Sequence, residues 1–304
     1  MDLRKKNTLK PTVGIVILNW NNYKDTKECL EHIKKQTFKD IEVVIVDGKS
    51  SDDSTSKIQA DFPEFNYVYL KSDTGYSGGN NVGISFFLKT SVKYILSMNN
   101  DVFMNKHCVE ELVNEAESNS KAGIFGPRMY SYFDKKLFEI SGGYVNIFHA
   151  KPMPKWVYED EKSPKEPFLV TKLPGACILL PRNVIKETGL MDENFFLYYA
   201  DTDWQKRISD LGWLQCSVPT AKAYHKVSAT IGRGSKKLLY YDTRDFLTYV
   251  KKHHNTVELI YTYFKTWMNK NSYALRKQDW AMLATVNMAY LHFLQSKHKR
   301  TRGI

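Results

Sequence analysis

Short aliphatic runs alternate with segments of helical periodicity over the first hundred residues. The runs are rich in β-branched residues, which is typical of strands buried on both faces of a sheet. They cover Val13–Leu18, Ile41–Val46, Tyr67–Leu70 and Tyr94–Met98. This alternation predicts an α/β fold with a mostly parallel sheet flanked by helices, because parallel neighbours need crossover connections.

Polar clusters follow three of these runs. The clusters are Asn19–Asn22, Asp47–Asp53 and Asn99–Asp101. The carboxyl ends of parallel strands share one edge of a sheet, and ligands of open α/β sheets bind beyond that edge. We therefore expect a single ligand site built from segments that lie far apart in the sequence.

The second half of the chain regains order after an irregular stretch at about 130–170. The pattern predicts strands at Ala176–Leu180 and Leu214–Val218, and a helix that begins near Asp201. Beyond Tyr240 the periodicity is helical. We accordingly expect two parts, an α/β domain at 1–245 and a helical C-terminal extension at 246–304.

The positive charge is concentrated in that extension. From residue 251 onward there are ten Lys and Arg against two acids, so +8 of the net +11 lies there. Two interpretations stay open: an interfacial helix on an anionic inner membrane face, or helices packed on the domain or in a homodimer contact. No nucleic-acid-binding motif accompanies the charge, so nucleic acid is not an expected partner.

The location expected for the protein follows from two simple absences in the sequence. The four cysteines are scattered and form no close pair, which favours a reducing cytoplasm. No apolar run reaches the roughly 20 residues that a membrane-spanning helix needs. We expect a cytoplasmic protein, peripheral on the membrane if the extension binds lipid.

Asp101 and His225 are candidate metal ligands. A carboxylate at a strand end can hold Mg²⁺ or Mn²⁺, and a neutral imidazole can complete the metal's coordination. Such an ion bridges the phosphates of a nucleotide sugar and neutralises the charge of the leaving diphosphate. The alternatives are that Asp101 caps a helix beginning near Lys106 and that His225 is structural.

Asp47 and the glycine-rich stretch 75–83 are candidates for nucleotide contacts. Asp47 can accept hydrogen bonds from a base or ribose, and glycines let a backbone approach a ligand closely. The alternatives are an ordinary Asp-Gly turn and a plain glycine turn, with a helix only over Ile84–Leu88. Arg244 can grip phosphate oxygens or merely be solvated.

The segment 195–204, Phe-Phe-Leu-Tyr-Tyr-Ala-Asp-Thr-Asp-Trp, surrounds two carboxylates with aromatic rings. A partly dry pocket makes Asp201 or Asp203 suitable as a general base for an acceptor hydroxyl. The alternative is that Asp201 caps its helix while the aromatic rings pack in the core.

Taken in order, these segments resemble glycosyltransferase family 2, in its rhamnosyltransferase-like branch. The resemblance covers about residues 11–245. The matching strings are Val16-Ile-Leu-Asn-Trp-Asn-Asn22, Gly75-Tyr-Ser-Gly-Gly-Asn-Asn81, Asn99-Asn-Asp101, Gly175-Ala-Cys-Ile-Leu-Leu180, Gly189-Leu-Met-Asp-Glu-Asn-Phe-Phe196, Tyr198–Asp203 and His225.

The resemblance implies the GT-A fold, a divalent metal and an inverting single displacement. It makes Asp201 the catalytic base, Asp101 a metal ligand and His225 a neighbour of metal and diphosphate, with Asp47 on the nucleotide. The residues expected around the donor are Asn19, Asp47, Lys49, Asp73, Gly75, Gly79, Asn80, Asn100 and Arg244.

Three positions depart from the family's usual pattern. Ala200 stands where Glu usually precedes the base, Asp73 where Asn precedes the glycines, and Lys49 follows Gly48. These changes leave the nucleotide open. We expect a transferase that moves a sugar, such as rhamnose, from a nucleotide diphosphate to a saccharide or lipid-linked saccharide in cell-surface polysaccharide synthesis. The alternative is a non-catalytic nucleotide-sugar-binding or scaffold protein, which Ala200 alone supports.

Overall fold

A computed structural model describes residues 12–139, 156–159, 161–226 and 235–297. Within these residues eleven strands form one mixed sheet. The strands are β1 (Val13–Asn19), β2 (Ile41–Asp47), β3 (Asn66–Tyr69), β4 (Tyr94–Asn99), β5 (Val102–Met104), β6 (Ala122–Ser131), β7 (Leu137–Glu139), β8 (Trp156–Tyr158), β9 (Phe168–Val170), β10 (Cys177–Pro181) and β11 (Leu214–His225).

Helices cover the sheet and continue beyond it at the C-terminal end. They are α1 (Tyr23–Lys34), α2 (Ser54–Asp61), α3 (Gly75–Leu88), α4 (Cys108–Ser118), α5 (Arg182–Thr188), α6 (Ala200–Asp210), α7 (Lys236–His253), α8 (Thr256–Arg276) and α9 (Trp280–Leu294). None of the helices in the described part of the chain combines the length and the apolar character needed to cross a membrane.

The first half of the sheet is parallel, in the order β3-β2-β1-β4. Its four strands are those the aliphatic runs predict, and their carboxyl ends reach one edge. β10 then pairs antiparallel with β4, so the start of β10 meets the end of β4 at that same edge. The predicted α/β fold of the GT-A type, with C-terminal helices, is confirmed.

Two apolar clusters lie on opposite faces of this sheet. Ile15, Ile17 and Val43 pack with α1 and α4, whereas Val16 and Val44 pack with α3, α6 and the C-terminal half of α7. Both faces of the parallel strands are therefore buried, which explains their continuous aliphatic sequence.

The prediction for residues 75–88 differs from the structure. The glycine-rich stretch is not a turn before a short helix, because it forms the first half of α3. A Cβ on Gly79 would lie 2.5 Å from Leu18, and one on Gly83 would lie 2.3 Å from Val16. The glycines thus allow α3 to lie directly on β1, and this packing outweighs their poor intrinsic helix propensity.

The domain division at 245/246 falls inside α7, a continuous helix of 18 residues. Phe246, Tyr249 and Val250 of this helix belong to the same apolar cluster as Trp204 and Ile208 of α6. The helical extension consequently starts at α7, and its first helix is part of the core of the α/β domain.

Candidate active site

Asp47 ends β2 at the centre of a hydrogen-bond network. Its carboxylate accepts from the Ser50 hydroxyl at 2.6 Å, from the Thr55 hydroxyl at 2.8 Å and from the Ser50 backbone N–H. Lys49 lies between them with a positive φ of 65°, so the backbone folds sharply back over the strand end. The carboxylate is held in one orientation at the edge of the sheet, while the Lys49 side chain is exposed.

Asn19 ties the end of β1 to the same network. Its amide donates to the hydroxyls of Ser54 and Thr55, and its carbonyl accepts from the Thr26 hydroxyl. Asn100 donates to that Thr26 hydroxyl from the segment after β4, at 2.8 Å. One chain of hydrogen bonds therefore crosses three strand ends, as the three polar clusters predicted, and its members are largely buried.

Asp101 and His225 lie together although 124 positions separate them in the sequence. The pairing of β11 with β5 places His225 opposite Val102, and the His225 Nε2 atom lies 3.3 Å from the Asp101 carboxylate. Among the residues that the structure describes, the other ring nitrogen of His225 and the Oδ1 of Asn99 are buried without a hydrogen-bond partner. Unpaired buried polar atoms are unfavourable in a protein interior, so they indicate room for a ligand here.

A divalent cation fits this pair of side chains in a limited way. Among the described residues no group of three or more His, Cys, Asp and Glu side chains is close enough to hold an ion by itself. Mg²⁺ is commonly held by one or two protein groups together with substrate phosphates. Asp101 and His225 therefore suit an ion that arrives with, or is completed by, a nucleotide diphosphate.

Asp201 lies in the first turn of α6, two positions after the strained residue Tyr199. Tyr199 has a φ of 64°, a left-handed conformation that bulky residues rarely adopt, and its ring packs on Phe246 and Tyr249. Gly175 passes so close that a Cβ there would lie 2.0 Å from the Asp201 carboxylate. The backbone turn and the missing side chain at Gly175 together fix where this carboxylate lies.

The backbone beside Gly175 links Asp201 with the strand end that leads to Asp101, because the Ala176 carbonyl accepts the Asn99 N–H at 2.9 Å. Burial raises the pKa of the Tyr76 phenol, and the charges of Asp201 and Asp101 raise it further, so both carboxylates act on one hydroxyl. Lys172 lies 3.9 Å from the Asp201 carboxylate. The candidate base and the candidate metal ligand thus belong to one site.

Glu139, on β7, is a third carboxyl group in the electrostatic range of this site. Burial raises the pKa of Glu139, Asp201 acts in the same direction, and Lys172 and His225 act against it. Sequence reasoning missed Tyr76, Lys172 and Glu139. The position of Tyr76 inside the glycine-rich string was the only available signal, because Lys172 and Glu139 stand in the irregular stretch.

Asp203 has a structural environment, unlike Asp201 two residues earlier. It is fully buried and contacts Arg207, Lys252 and His253 at 2.7–2.9 Å. Burial alone would raise the pKa of Asp203, but the hydrogen bonds from these cations hold it below its usual range. Asp203 joins α6 to α7 and is not available as a base.

The donor-side residues of α3 pack inside the protein. Asn80 hydrogen-bonds the Tyr76 carbonyl and the Ser97 hydroxyl, and Gly79 lies on Leu18. Gly75 has a φ of 73° and would place a Cβ 2.2 Å from the Phe196 carbonyl oxygen. Asp73 accepts the Gly75 N–H and so opens the helix. These contacts give Gly79 and Asn80 packing roles and make the start of α3 a support for the loop before Asp201.

Arg244 does not lie as an exposed phosphate-binding side chain. It is fully buried on α7, donates two hydrogen bonds to Asp245 and lies over the rings of Tyr240 and Tyr241. The other oxygen of Asp245 accepts the N–H groups of Leu197 and Tyr198. Arg244 therefore positions the loop that leads to Asp201. Its burial contradicts the alternative of surface solvation, and its contact with donor phosphate stays a prediction.

Comparison with known proteins identifies the family of the chain. The family model "Glycosyl transferase family 2" matches residues 14–189, which is more than half of the chain. The chain belongs to glycosyl transferase family 2.

Three relatives of known name and one solved structure resemble this chain over most of its length. It is 25% identical over 243 residues to the low-salt glycan biosynthesis hexosyltransferase Agl10 of Haloferax volcanii, which covers 79% of this chain and 76% of that one. It is 22% identical over 241 residues to the N-acetylglucosaminyl-diphospho-decaprenol L-rhamnosyltransferase of Mycobacterium tuberculosis (72% and 77%). It is 23% identical over 259 residues to the dTDP-rhamnosyl transferase RfbF of Shigella flexneri (81% and 82%).

The rhamnosyltransferase-like branch expected from the motifs is therefore confirmed. A crystal structure of residues 1–349 of S. aureus TarS superposes with a TM-score of 0.56 at 12% identity, over 93% of this chain and 80% of that one. That likeness concerns the fold. The chain is a glycosyltransferase related to enzymes of glycan and polysaccharide synthesis.

Proposed function

We propose that this protein is an inverting glycosyltransferase that moves a sugar from a nucleotide diphosphate to an acceptor hydroxyl. The observation that carries the proposal is that the Asp201 carboxylate lies against Gly175, while the next residue, Ala176, hydrogen-bonds Asn99 at the strand end that leads to Asp101. A single displacement needs one carboxylate to take the acceptor proton and a separate region for the leaving diphosphate. Asp201 supplies the first, and Asp101 with His225 marks the second.

The strand-end network is the proposed nucleotide site. Asp47 retains acceptor capacity at the edge of the sheet, and its neighbours Ser50 and Thr55 fix its orientation. A carboxylate held this way can accept hydrogen bonds from a base or ribose without reorganising when the donor binds. The Lys49 ammonium is exposed beside it and is suited to the negative charge of the donor.

Asp101 and His225 would hold Mg²⁺ or Mn²⁺ in this proposal. When bound, such an ion neutralises charge on the departing nucleoside diphosphate. Independently of it, the His225 ring and the Asp101 carboxylate fix each other's orientation at 3.3 Å. The Lys172 ammonium lies 3.9 Å from the carboxylate of the proposed base.

The donor and acceptor are proposed from the relatives. Two of them are named for rhamnosyl transfer. The Mycobacterium tuberculosis relative is also named for a polyprenyl-diphosphate acceptor. So is a glucosyltransferase of Campylobacter jejuni that is 23% identical over 190 residues. We propose thymidine diphosphate rhamnose as the first donor to test and a lipid-linked saccharide as the acceptor.

The test is release of nucleoside diphosphate from a panel of nucleotide sugars, with Mn²⁺ or Mg²⁺ and with EDTA. Donor binding is measured in parallel by calorimetry, because hydrolysis without acceptor is slow. Ion-dependent release from one donor, retained in Lys35→Ala on the exposed end of α1 and lost in Asp201→Asn, supports the proposal. Donor binding without release or transfer across many acceptors would favour the non-catalytic alternative, which the alanine at position 200 suggests.

A further inference from the structure

The outer face of α8 carries a row of apolar side chains in solvent. Val257, Tyr261, Phe264, Met268 and Leu275 are exposed, with Val257 at 76% and Phe264 at 56%. Their spacing of three, four or seven residues places them along one side of the helix. The opposite side holds the buried Thr262 and Ala274. In the described part of the chain α8 therefore has two apolar sides: the inner one packs on the protein through Leu259 and Tyr263, and the outer one is exposed.

The neighbouring helix α9 continues the same surface. Trp280, Met288, Leu291 and Leu294 are exposed, and Trp280 is 69% exposed. The inner side of α9 contributes buried residues to the cluster with α7. A hydrogen bond of 3.0 Å from the Trp267 indole to Asn287 joins the exposed sides of the two helices. We call the nine exposed residues of the two rows the α8–α9 face.

Basic residues surround this face, and the acids of the region are used elsewhere. Lys265 lies over the Tyr261 ring, and Arg276 and Lys277 are exposed at the end of α8. From residue 251 onward the only acids in the sequence are Glu258 and Asp279. Glu258 completes the capping box of α8 and Asp279 caps the start of α9. The surface is thus apolar at its centre and cationic at its rim.

We infer that the α8–α9 face lies in the headgroup region of an anionic lipid bilayer, with both helices parallel to the membrane plane. Interfacial helices combine an apolar side with Lys and Arg at the polar boundary, and anionic lipids attract such a rim. A second copy of this chain is a poorer occupant, because a symmetric contact would bring two cationic rims together.

The face is connected to the active site by packed side chains. Ala289 of α9 forms a buried cluster with Phe196, Tyr240 and Tyr241. Phe196 belongs to the loop that supports the turn into Asp201, and its carbonyl accepts the Tyr76 N–H at 2.7 Å. Where the acceptor is a lipid-linked saccharide, a step that rests on the proposed function, docking of the face would bring this loop near the membrane that holds the acceptor.

The test is flotation of the full chain with vesicles of phosphatidylcholine alone and of phosphatidylcholine with phosphatidylglycerol. We expect binding to the anionic vesicles that weakens as salt rises. The variant Phe264→Glu/Met268→Glu should bind at least about tenfold more weakly, since it places two charges in the apolar centre. The matched control Tyr69→Glu/Leu211→Glu changes two side chains of similar exposure elsewhere and should bind normally.

Tryptophan fluorescence gives a second readout that does not depend on charged variants. A blue shift on addition of anionic vesicles is expected for the wild type, and a smaller one for Trp280→Phe. Failure of the wild type to bind anionic vesicles, or unchanged binding by Phe264→Glu/Met268→Glu, would overturn the inference. So would a stable dimer in sedimentation analysis that this variant dissociates, since the face would then belong to a second copy.

Vesicle binding is measured without donor or acceptor, so its result is independent of catalysis. A chain that floats with anionic vesicles but releases no nucleoside diphosphate would keep the membrane inference and contradict the proposed function. A chain that releases nucleoside diphosphate but does not bind vesicles would support the proposed function and contradict the membrane inference.

Discussion

The carboxyl edge of the sheet and the α8–α9 face depart from the usual distribution of residues in opposite ways. At the sheet edge polar side chains are buried: Asn19, Asp47 and Asp101 are each less than a tenth exposed. On the α8–α9 face large apolar side chains such as Val257 and Trp280 are mostly exposed. Buried polar groups and exposed apolar surfaces are the arrangements that require a specific explanation.

The two regions differ in how their unusual residues are satisfied. The buried polar groups bond to one another across three strand ends, which fixes them before any ligand arrives. The apolar surfaces of the α8–α9 face are exposed among the described residues, and contact with another apolar phase would remove them from water. The first region is therefore organised by contacts within the protein. The second leaves its apolar surface exposed until it contacts a partner outside the fold.

The sharpest test at the sheet edge is Asp201→Asn. We expect kcat to fall by about 1000-fold, because the amide cannot take the acceptor proton and general bases contribute on this scale. Donor affinity and the unfolding midpoint should stay at wild-type values, since Asp201 is partly exposed and its ion pair with Lys172 spans 3.9 Å. Steady-state kinetics and calorimetric donor titration check this, and wild-type turnover would exclude Asp201 as the base.

Asp203→Asn tests whether the carboxylate two residues after Asp201 stabilises the fold and takes no part in catalysis. This change removes the charge that Arg207, Lys252 and His253 surround, and breaking such a buried group costs ~3 kcal/mol of unfolding free energy. Urea unfolding measures it. The lowered pKa of Asp203 means that its stabilisation is present above the ordinary carboxyl range and is lost as pH falls through the folded pKa. The variant should therefore lose less stability on acidification than the wild type.

Gly175→Ala tests whether the Asp201 carboxylate depends on its neighbour's missing side chain. The new Cβ would meet the carboxylate at 2.0 Å, so Asp201 must shift. A displacement of about 1 Å in a catalytic group can reduce turnover by up to about 100-fold. We expect a loss in kcat of this order or somewhat smaller, with an unchanged donor Kd. Full activity would show that the close approach has no catalytic consequence.

The smallest effect is expected on the α8–α9 face. Phe264→Ser should change the unfolding free energy by less than about 0.5 kcal/mol, because the ring packs on no core. Its matched control is Phe293→Ala on the buried side of α9, which should cost about 3 kcal/mol. Equal losses in urea unfolding would mean that Phe264 is buried in solution and that the comparison between the two regions fails.

The local pattern of the sequence was sufficient to predict the four parallel strands and the edge of the sheet where the site lies. Aliphatic runs at Val13–Leu18 and Ile41–Val46 are buried on both faces, and this requirement is visible in their residues. The polar clusters after them could be placed together from topology alone. Asp101 and His225 were proposed together as metal ligands, and the pairing of β11 with β5 brings them within 3.3 Å of each other, while the metal itself stays a prediction.

Other positions depended on contacts that the local sequence does not contain. The string at 75–83 looks like a turn by composition, but Leu18 and Val16 lie so close that only glycine fits there, in a helix. Arginine side chains usually lie at the surface, but Arg244 is buried in an ion pair with Asp245. The irregular stretch concealed Lys172, whose position beside Asp201 follows from no periodicity.

The sequence by itself therefore determined the α/β class, the order of the strands along the chain and the sheet edge that holds the polar residues. Those properties follow from periodicity and from the general geometry of parallel sheets. Only the tertiary structure showed that Asp203, unlike Asp201, is enclosed by a neighbouring helix, and only it distinguished the inner from the outer apolar side of α8. Both distinctions depend on which distant helix packs against a given side chain, and two residues of identical local composition can differ entirely in that respect.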